Sequence, residues 1–178
     1  MIKSMARKGT TKYKSNKQEK DVAKILGGKT VMASGSLWQA KGDVRTSKYL
    51  VECKTTDKDF YKLEQKILAK IAKEAIKDGL RSPLLVFDCK NERFVVFRIK
   101  DCSLKASLIF KLFKVKVIDT LVKGRSISLS YKEDLKSLNK NENAIGFSVH
   151  NYRLVPETWF LVSEEVFLKN ERVLYEVM

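Results

Sequence analysis

GDVRTSKYLVECKT, residues 42–55, reads as two short strands, Asp43–Thr46 and Tyr49–Thr55, joined by a tight turn at Ser47-Lys48. In the second strand, alternation puts Glu52 and Lys54 on one face and Val51 and Cys53 on the other. If Asp43 opens the neighbouring strand, its carboxylate converges with that of Glu52. The pattern is Asp43, eight residues, then Glu52-Cys53-Lys54. Two carboxylates can hold a hard divalent cation through oxygen, Mg²⁺ or Mn²⁺, and the Cys53 carbonyl can add a ligand. Such an ion lowers the pKa of bound water and polarises a phosphoryl oxygen. Lys54 can orient the attacking water or stabilise charge as a point cation. The chemistry this grouping suits is phosphodiester hydrolysis.

A solvated hairpin would spell the same letters, and a chain that is 32% charged generates such strings by chance. The surroundings favour the chemical reading. Upstream, NKQEKDVAKIL reads as a helix capped at Ser15 or Asn16 and stopped by Gly27-Gly28, with Val22, Ile25 and Leu26 on one face. Lys29–Ala33 is a strand candidate, and SGSLWQAKGD a flexible loop. Downstream, residues 59–79 read as a long amphipathic helix through Phe60, Leu63, Ile67, Leu68, Ile71, Ala75 and Ile76, ended by Gly79. Pro83–Cys89 and Arg93–Ile99 form a hairpin around Lys90-Asn91-Glu92. The expected fold class is α/β (α+β): a central mixed sheet flanked by helices, with core order αβββαββ. Beyond residue 101 the pattern weakens to a helix at Leu104–Phe113, strands at Ile127–Ser130 and Trp159–Val162, and a short helix opened by Ser163 and running through Leu168. The organisation is a basic flexible arm over 1–14, a core over 15–100, and a carboxy-terminal extension over 101–178 packed on the same domain.

Charge points to the partner. Thirty-six Lys and Arg against twenty-one Asp and Glu leave +15, an excess that suits nucleic acid. Residues 1–30 hold nine Lys or Arg and only Glu19 and Asp21. Lys8, Lys12 and Lys14 on this arm, Lys41 in the loop, and Lys58 and Lys62 on the long helix are candidate phosphate contacts. Trp38 is a candidate for stacking on bases. Three scattered cysteines and a single histidine, His150, exclude a structural zinc site and mechanisms needing two histidines. The cysteines read as buried free thiols, and Trp159 as core. No apolar run approaches the ~20 residues of a membrane span, and the amino terminus lacks a signal's apolar stretch. A soluble cytoplasmic protein without membrane partners is expected.

The stretch from Gln18 to Phe97, under half the chain, resembles the archaeal Holliday junction resolvases within the PD-(D/E)xK, restriction-endonuclease-like nucleases. QEKDVAKIL, ASGSLWQAKGDV, YLVECKTT and FYKLEQKI carry the resemblance. It implies a restriction-endonuclease-like core and a metal-dependent endonuclease acting on branched or duplex DNA. By position, Asp43, Glu52 and Lys54 match the core motif. Glu19 matches a helical glutamate of the metal site, and Ser34 or Ser36 a loop serine. By the same resemblance Gln65, on the long helix, is a residue expected to face the site. Gly42 stands where the family usually has proline, Trp38 and Gln39 lengthen the loop, and residues 101–178 have no counterpart. Symmetric nicking of a four-way junction needs two active sites at fixed separation, so a two-fold homodimer is the expected assembly. Two alternatives stay open: another nuclease of the superfamily (restriction-like, nicking or phage DNA-processing), and a non-catalytic basic DNA-binding protein.

Overall fold

The structure, a computed structural model, describes residues 10–31, 42–139, 142–150 and 156–176. It is an α+β fold with a mixed central sheet flanked by helices. The first helix, α1 (Thr11–Ile25), starts earlier than the sequence suggests. Thr10, in extended backbone, is the N-cap, and its side chain accepts from the Tyr13 N–H at 3.2 Å. Residues 11–14 are therefore helical rather than part of a loose arm, and Ser15 and Asn16 lie inside the helix. Gly27, with φ +65, closes it.

Three strands follow: β1 (Lys29–Thr30), β2 (Val44–Arg45) and β3 (Tyr49–Thr56). β1 is shorter than expected, and the loop after it lies outside the described residues. β2 and β3 pair antiparallel, Val44 opposite Val51. Between them Thr46 Oγ1 accepts from the Lys48 and Tyr49 N–H groups at 3.0 and 2.7 Å, which fixes the turn.

The expected long helix over 59–79 is two elements. β4 (Phe60–Glu64) comes first, then α2 (Gln65–Lys77). Phe60 and Leu63 fit a helical spacing, but Tyr61 and Leu63 are the buried residues of β4, an alternation of period two. Its partner is β8 (Ser126–Ser130), in register Phe60–Ser130 to Glu64–Ser126. No local pattern could reveal a partner so far away.

α2 returns the chain to β5 (Ser82–Cys89), which pairs parallel with β3 from Tyr49–Ser82 to Thr56–Cys89. β6 (Glu92–Arg98) completes the expected hairpin. Its turn residues Lys90 and Asn91 both have positive φ, 53° and 64°, as two-residue hairpin turns favour. The remaining elements are a 3₁₀ turn (Ile99–Asp101), α3 (Ala106–Leu112), β7 (Lys114–Leu121), a π-helical turn (Tyr131–Leu135) running into a 3₁₀ turn (Lys136–Asn139), β9 (Asn143–Val149), β10 (Glu157–Ser163) and α4 (Glu164–Tyr175). β7 and β9 were not anticipated. α4 has the expected Ser163 cap, which accepts from the Val166 N–H at 3.3 Å, but it runs well past Leu168.

β7, β9 and β10 join the same sheet, whose order is β1-β2-β3-β5-β6-β10-β9-β7. These three strands are thus continuous with the core, since β10 pairs with β6 from Trp159–Arg98 to Ser163–Phe94. Arg98, buried beneath Trp159, locks this junction by forked bonds to Asp101 at 2.6 and 2.9 Å and a bond to Glu157 at 3.1 Å.

Each face of the sheet carries its own core. Leu50, Leu85, Phe87, Phe94, Val96, Phe147, Trp159 and Leu161 pack with α2, β4 and β8. Val51, Cys53, Val86, Val95, Phe97, Phe160 and Val162 pack with α1, α3 and α4. Burial on both faces explains why β5 reads as a nearly continuous apolar run. Phe87 joins layers, stacked on Tyr61 of β4 at 3.8 Å and on Phe94 at 5.4 Å. Phe87→Ala is expected to cost about 3–5 kcal/mol, read as a lower denaturation midpoint in urea with an unchanged slope.

Candidate active site

β3 carries the site on the face shared with α2. Glu52 sits mid-strand at 6% exposure. A carboxylate that deep must be compensated, and two lysines do so. Lys54 Nζ donates to Glu52 Oε1 at 2.7 Å. Lys70 Nζ, from α2, lies 3.5 Å from Oε1 and 3.4 Å from Oε2. Lys54 Nζ also donates to the Cys53 carbonyl at 3.1 Å.

Asp43 is held against the same strand by its own backbone. Its N–H donates to the Val51 carbonyl at 2.8 Å and its carbonyl accepts from the Val31 N–H at 2.9 Å. Its Oδ2 accepts from the Cys53 N–H at 2.8 Å. Gly42 makes this approach possible. Its φ is +68, and a Cβ there would sit 2.8 Å from Leu50 Cδ1 and 3.1 Å from the Val51 carbonyl oxygen. Proline, with φ near −65°, cannot occupy this position, which accounts for the departure noted in the sequence.

α1 closes the site from the other face. The Gln18 amide is buried and donates to the Lys54 carbonyl at 2.8 Å. Its Oε1 is buried and has no hydrogen-bond partner among the described residues. Glu19, next along the helix, accepts from Ser15 Oγ at 3.2 Å.

The electrostatics show that these groups form one cluster. Burial pushes the Asp43 carboxyl above its usual range, and repulsion from Glu52 adds to it against the Cys53 N–H, Lys54 and Lys70. Glu19 is raised for the same reasons, first by burial and then by Asp43. Burial works against the Lys54 ammonium, yet the Glu52 bond and the charges of Glu52 and Asp43 keep its pKa raised. The Cys53 thiol is pushed well up by burial and by Asp43 and Glu19. It is a packed thiol, and the residue's backbone meets the cluster through its N–H, bonded to Asp43, and its carbonyl, bonded to Lys54. Cys89 and Cys102 are also free.

Among the described residues, no three His, Cys, Asp or Glu side chains form a ready-made metal cage. The donors that do gather are all oxygens: the Asp43 and Glu52 carboxylates, the Cys53 carbonyl, and Glu19 beside them. An all-oxygen donor set, with Asp43 and Glu19 held above the usual carboxylate range by burial and by each other or Glu52, fits a hard divalent cation and not a soft one.

The structure thus brings together Asp43, Glu52, Lys54, Cys53 and Glu19. The placement of Gln65, Lys58 and Lys62 is corrected. Gln65 does not face the cluster. As the first residue of α2 it is buried, and its amide donates to the His150 carbonyl at 3.3 Å. Lys14 is ion-paired with Asp57 at 2.6 Å. Lys12 is exposed on the first turn of α1. Lys58 and Lys62 lie beside and within β4, not on a helix. Lys8, Ser34, Ser36, Trp38 and Lys41 lie outside the described residues. Sequence reasoning missed Gln18 and the contact of Lys70 with Glu52. The signal for Lys70 was its place on α2, obscured by the misplaced start of that helix.

The raised Asp43 pKa has a sign that can be checked. Ionised Asp43 destabilises the fold, so stability falls as pH rises from the ordinary aspartate value, ~3.9, through the raised folded one. Asp43→Asn keeps an acceptor for the Cys53 N–H. It is expected to raise the melting temperature at neutral pH, with the gain shrinking as pH drops through that window. A variant less stable than the parent at neutral pH would contradict the assignment.

Compared with family models, with curated proteins and with solved structures, the chain matches none.

Proposed function

We propose that the chain is a metal-dependent endodeoxyribonuclease of the PD-(D/E)xK type, built on a restriction-endonuclease-like core, that cleaves four-way DNA junctions as a two-fold dimer. The observation that carries this reading is the convergence of Asp43, Glu52 and Lys54 on one strand, with Glu19 near enough to repel Asp43. A Mg²⁺ or Mn²⁺ held by Asp43, Glu52 and the Cys53 carbonyl would supply Lewis acidity and a water of lowered pKa.

The chain's own groups have separate tasks. Asp43 and Glu52 present negative oxygen in a site where burial strengthens each interaction. Lys54, kept protonated by Glu52, places a positive charge where the attacking water and the phosphoryl oxygen meet. Lys70 holds Glu52 from the opposite side and leaves Lys54 able to turn toward substrate. Glu19 tunes the cluster through its charge. The net +15 favours a polyanionic substrate. Among the described residues no helix is long and apolar enough to cross a membrane.

A second reading is another nuclease of the same type, such as a restriction-like or phage DNA-processing enzyme. What favours it is the size of the carboxy-terminal contribution, which supplies β7, β9 and β10 to the central sheet. Incubating the protein with Mg²⁺ and labelled junction or linear duplex separates the two. Preferential, symmetric junction cutting is expected, and equal cutting of both substrates would leave only the second reading. Asp43→Ala, Glu52→Ala and Lys54→Ala should each lower cleavage by about a hundredfold or more while DNA binding is retained. Undiminished cleavage in any of them would refute the site.

A further inference from the structure

The β4–β8 ribbon lies outside the main sheet and turns one face to solvent. Phe60, Lys62 and Glu64 on β4 face outward opposite Ser130, Ser128 and Ser126 on β8. Successive outward residues on a strand are ~7 Å apart, so the ribbon displays an aromatic ring, an ammonium and a row of hydroxyls at regular intervals. Phe60 is 40% exposed, and Lys58 Nζ sits 5.3 Å above its ring. The inward residues Tyr61, Leu63 and Leu129 are buried, so the ribbon is fixed to the sheet.

The charge on this surface is one-sided. Asp57 is paired with Lys14, Asp59 with Lys90, Glu64 with Lys66, and Asp134 with Lys116. Lys62, Arg125 and Lys132 make no ion pair with a described residue. Arg125 marks one end of the ribbon, where its carbonyl accepts from the Gln65 N–H at 3.2 Å. Lys132 marks the other, where the preceding Tyr131 N–H donates to the Asp59 carbonyl at 2.8 Å. Glu133 is the one carboxylate in these segments outside such a pair among the described residues.

The position of the ribbon matters as much as its charge. It covers the face of the sheet that carries Glu52 and Lys54. Three residues separate the end of β3 from Phe60, and α2, with Lys70 against Glu52, follows Glu64 directly. From the neutralised carboxylates, the unpaired cations, the exposed ring and this adjacency, we infer that the outward face of the β4–β8 ribbon is the surface on which the sugar–phosphate backbone of DNA docks on its way to the Glu52–Lys54 site. Lys62, Lys132 and Arg125 take phosphates, the serine hydroxyls donate to phosphate oxygens, and Phe60 stacks on a base or sugar. The inference rests on the nuclease reading and assigns a role to the carboxy-terminal half, which supplies β8.

The test uses the full chain carrying Asp43→Ala, so that DNA is bound without being cut, and a fluorescein-labelled DNA duplex and four-way junction as probes. Binding is followed by anisotropy across a salt series, with thermal melting to confirm folding. Lys62→Ala with Lys132→Ala should weaken binding on the order of tenfold to a hundredfold near ~0.1 M salt. The same pair should reduce the slope of log affinity against log salt by about 2, one for each phosphate left without its lysine. Phe60→Ala should weaken binding and leave that slope unchanged. Lys111→Ala, on α3 across the sheet, should alter neither. A folded Lys62→Ala/Lys132→Ala protein with the parent's affinity and slope overturns the ribbon assignment, and so does an equal loss from Lys111→Ala. In those cases intact Mg²⁺-dependent cleavage by the wild-type chain leaves the nuclease reading standing. A parent that binds neither probe removes both.

Discussion

A carboxylate buried in the middle of a strand is the constraint around which this molecule is arranged. Glu52 cannot sit at that depth uncompensated. Its neighbours are chosen accordingly: Lys54 two residues on along the same face, and Lys70 from the helix packed over it. The Lys70 contact ties α2 to β3 beside the apolar packing of Leu68, Ile71 and Ala75, and α2 is the crossover that lets β5 pair parallel with β3. The apolar face of β3 does the complementary work. Val51 and Cys53 pack under α1, which brings Gln18 and Glu19 to the cluster. One strand thus organises both layers, and the carboxylate cluster lies at their meeting point.

The cluster holds energy that the fold would be better without. Asp43 and Glu19 both resist ionisation because they are buried beside other carboxylates. Such frustration at one place in a well-packed domain is what the proposed site would require. The compensation lies elsewhere, in two extensive apolar cores and in the Arg98 junction that ties β6 to β10.

Much of the site was legible in the sequence because its parts are local. The alternation of Tyr49–Thr55 puts Glu52 and Lys54 together, and the Asp43 spacing places it one strand away. The hairpin of β5 and β6 was equally plain. What failed depended on distant pairing. Phe60–Glu64 has a spacing compatible with helix or strand, and only β8, more than sixty residues later, decides between them. That error moved Lys58, Lys62 and Gln65 onto a helix face they do not share, and it hid the contact between Lys70 and Glu52. Residues 114–121 and 143–149 pair with each other in parallel at the far end of the sheet, an arrangement that leaves little local trace. The Gln18 contact was invisible for a similar reason: a buried helix glutamine looks like a surface one until the strand it touches is known.

The strand order carries a consequence for how the chain reaches this structure. β10 follows β7 and β9 in the chain, yet it lies between β6 and β9. Until it arrives, β6 presents an open edge lined by Phe94, Val95, Val96 and Phe97, and β7 and β9 have no attachment to the first half of the sheet. An apolar strand with unsatisfied backbone groups is a template for pairing with other chains. During synthesis the first half therefore emerges with the β6 edge exposed, and the insertion of β10 both completes the sheet and ends that period of vulnerability.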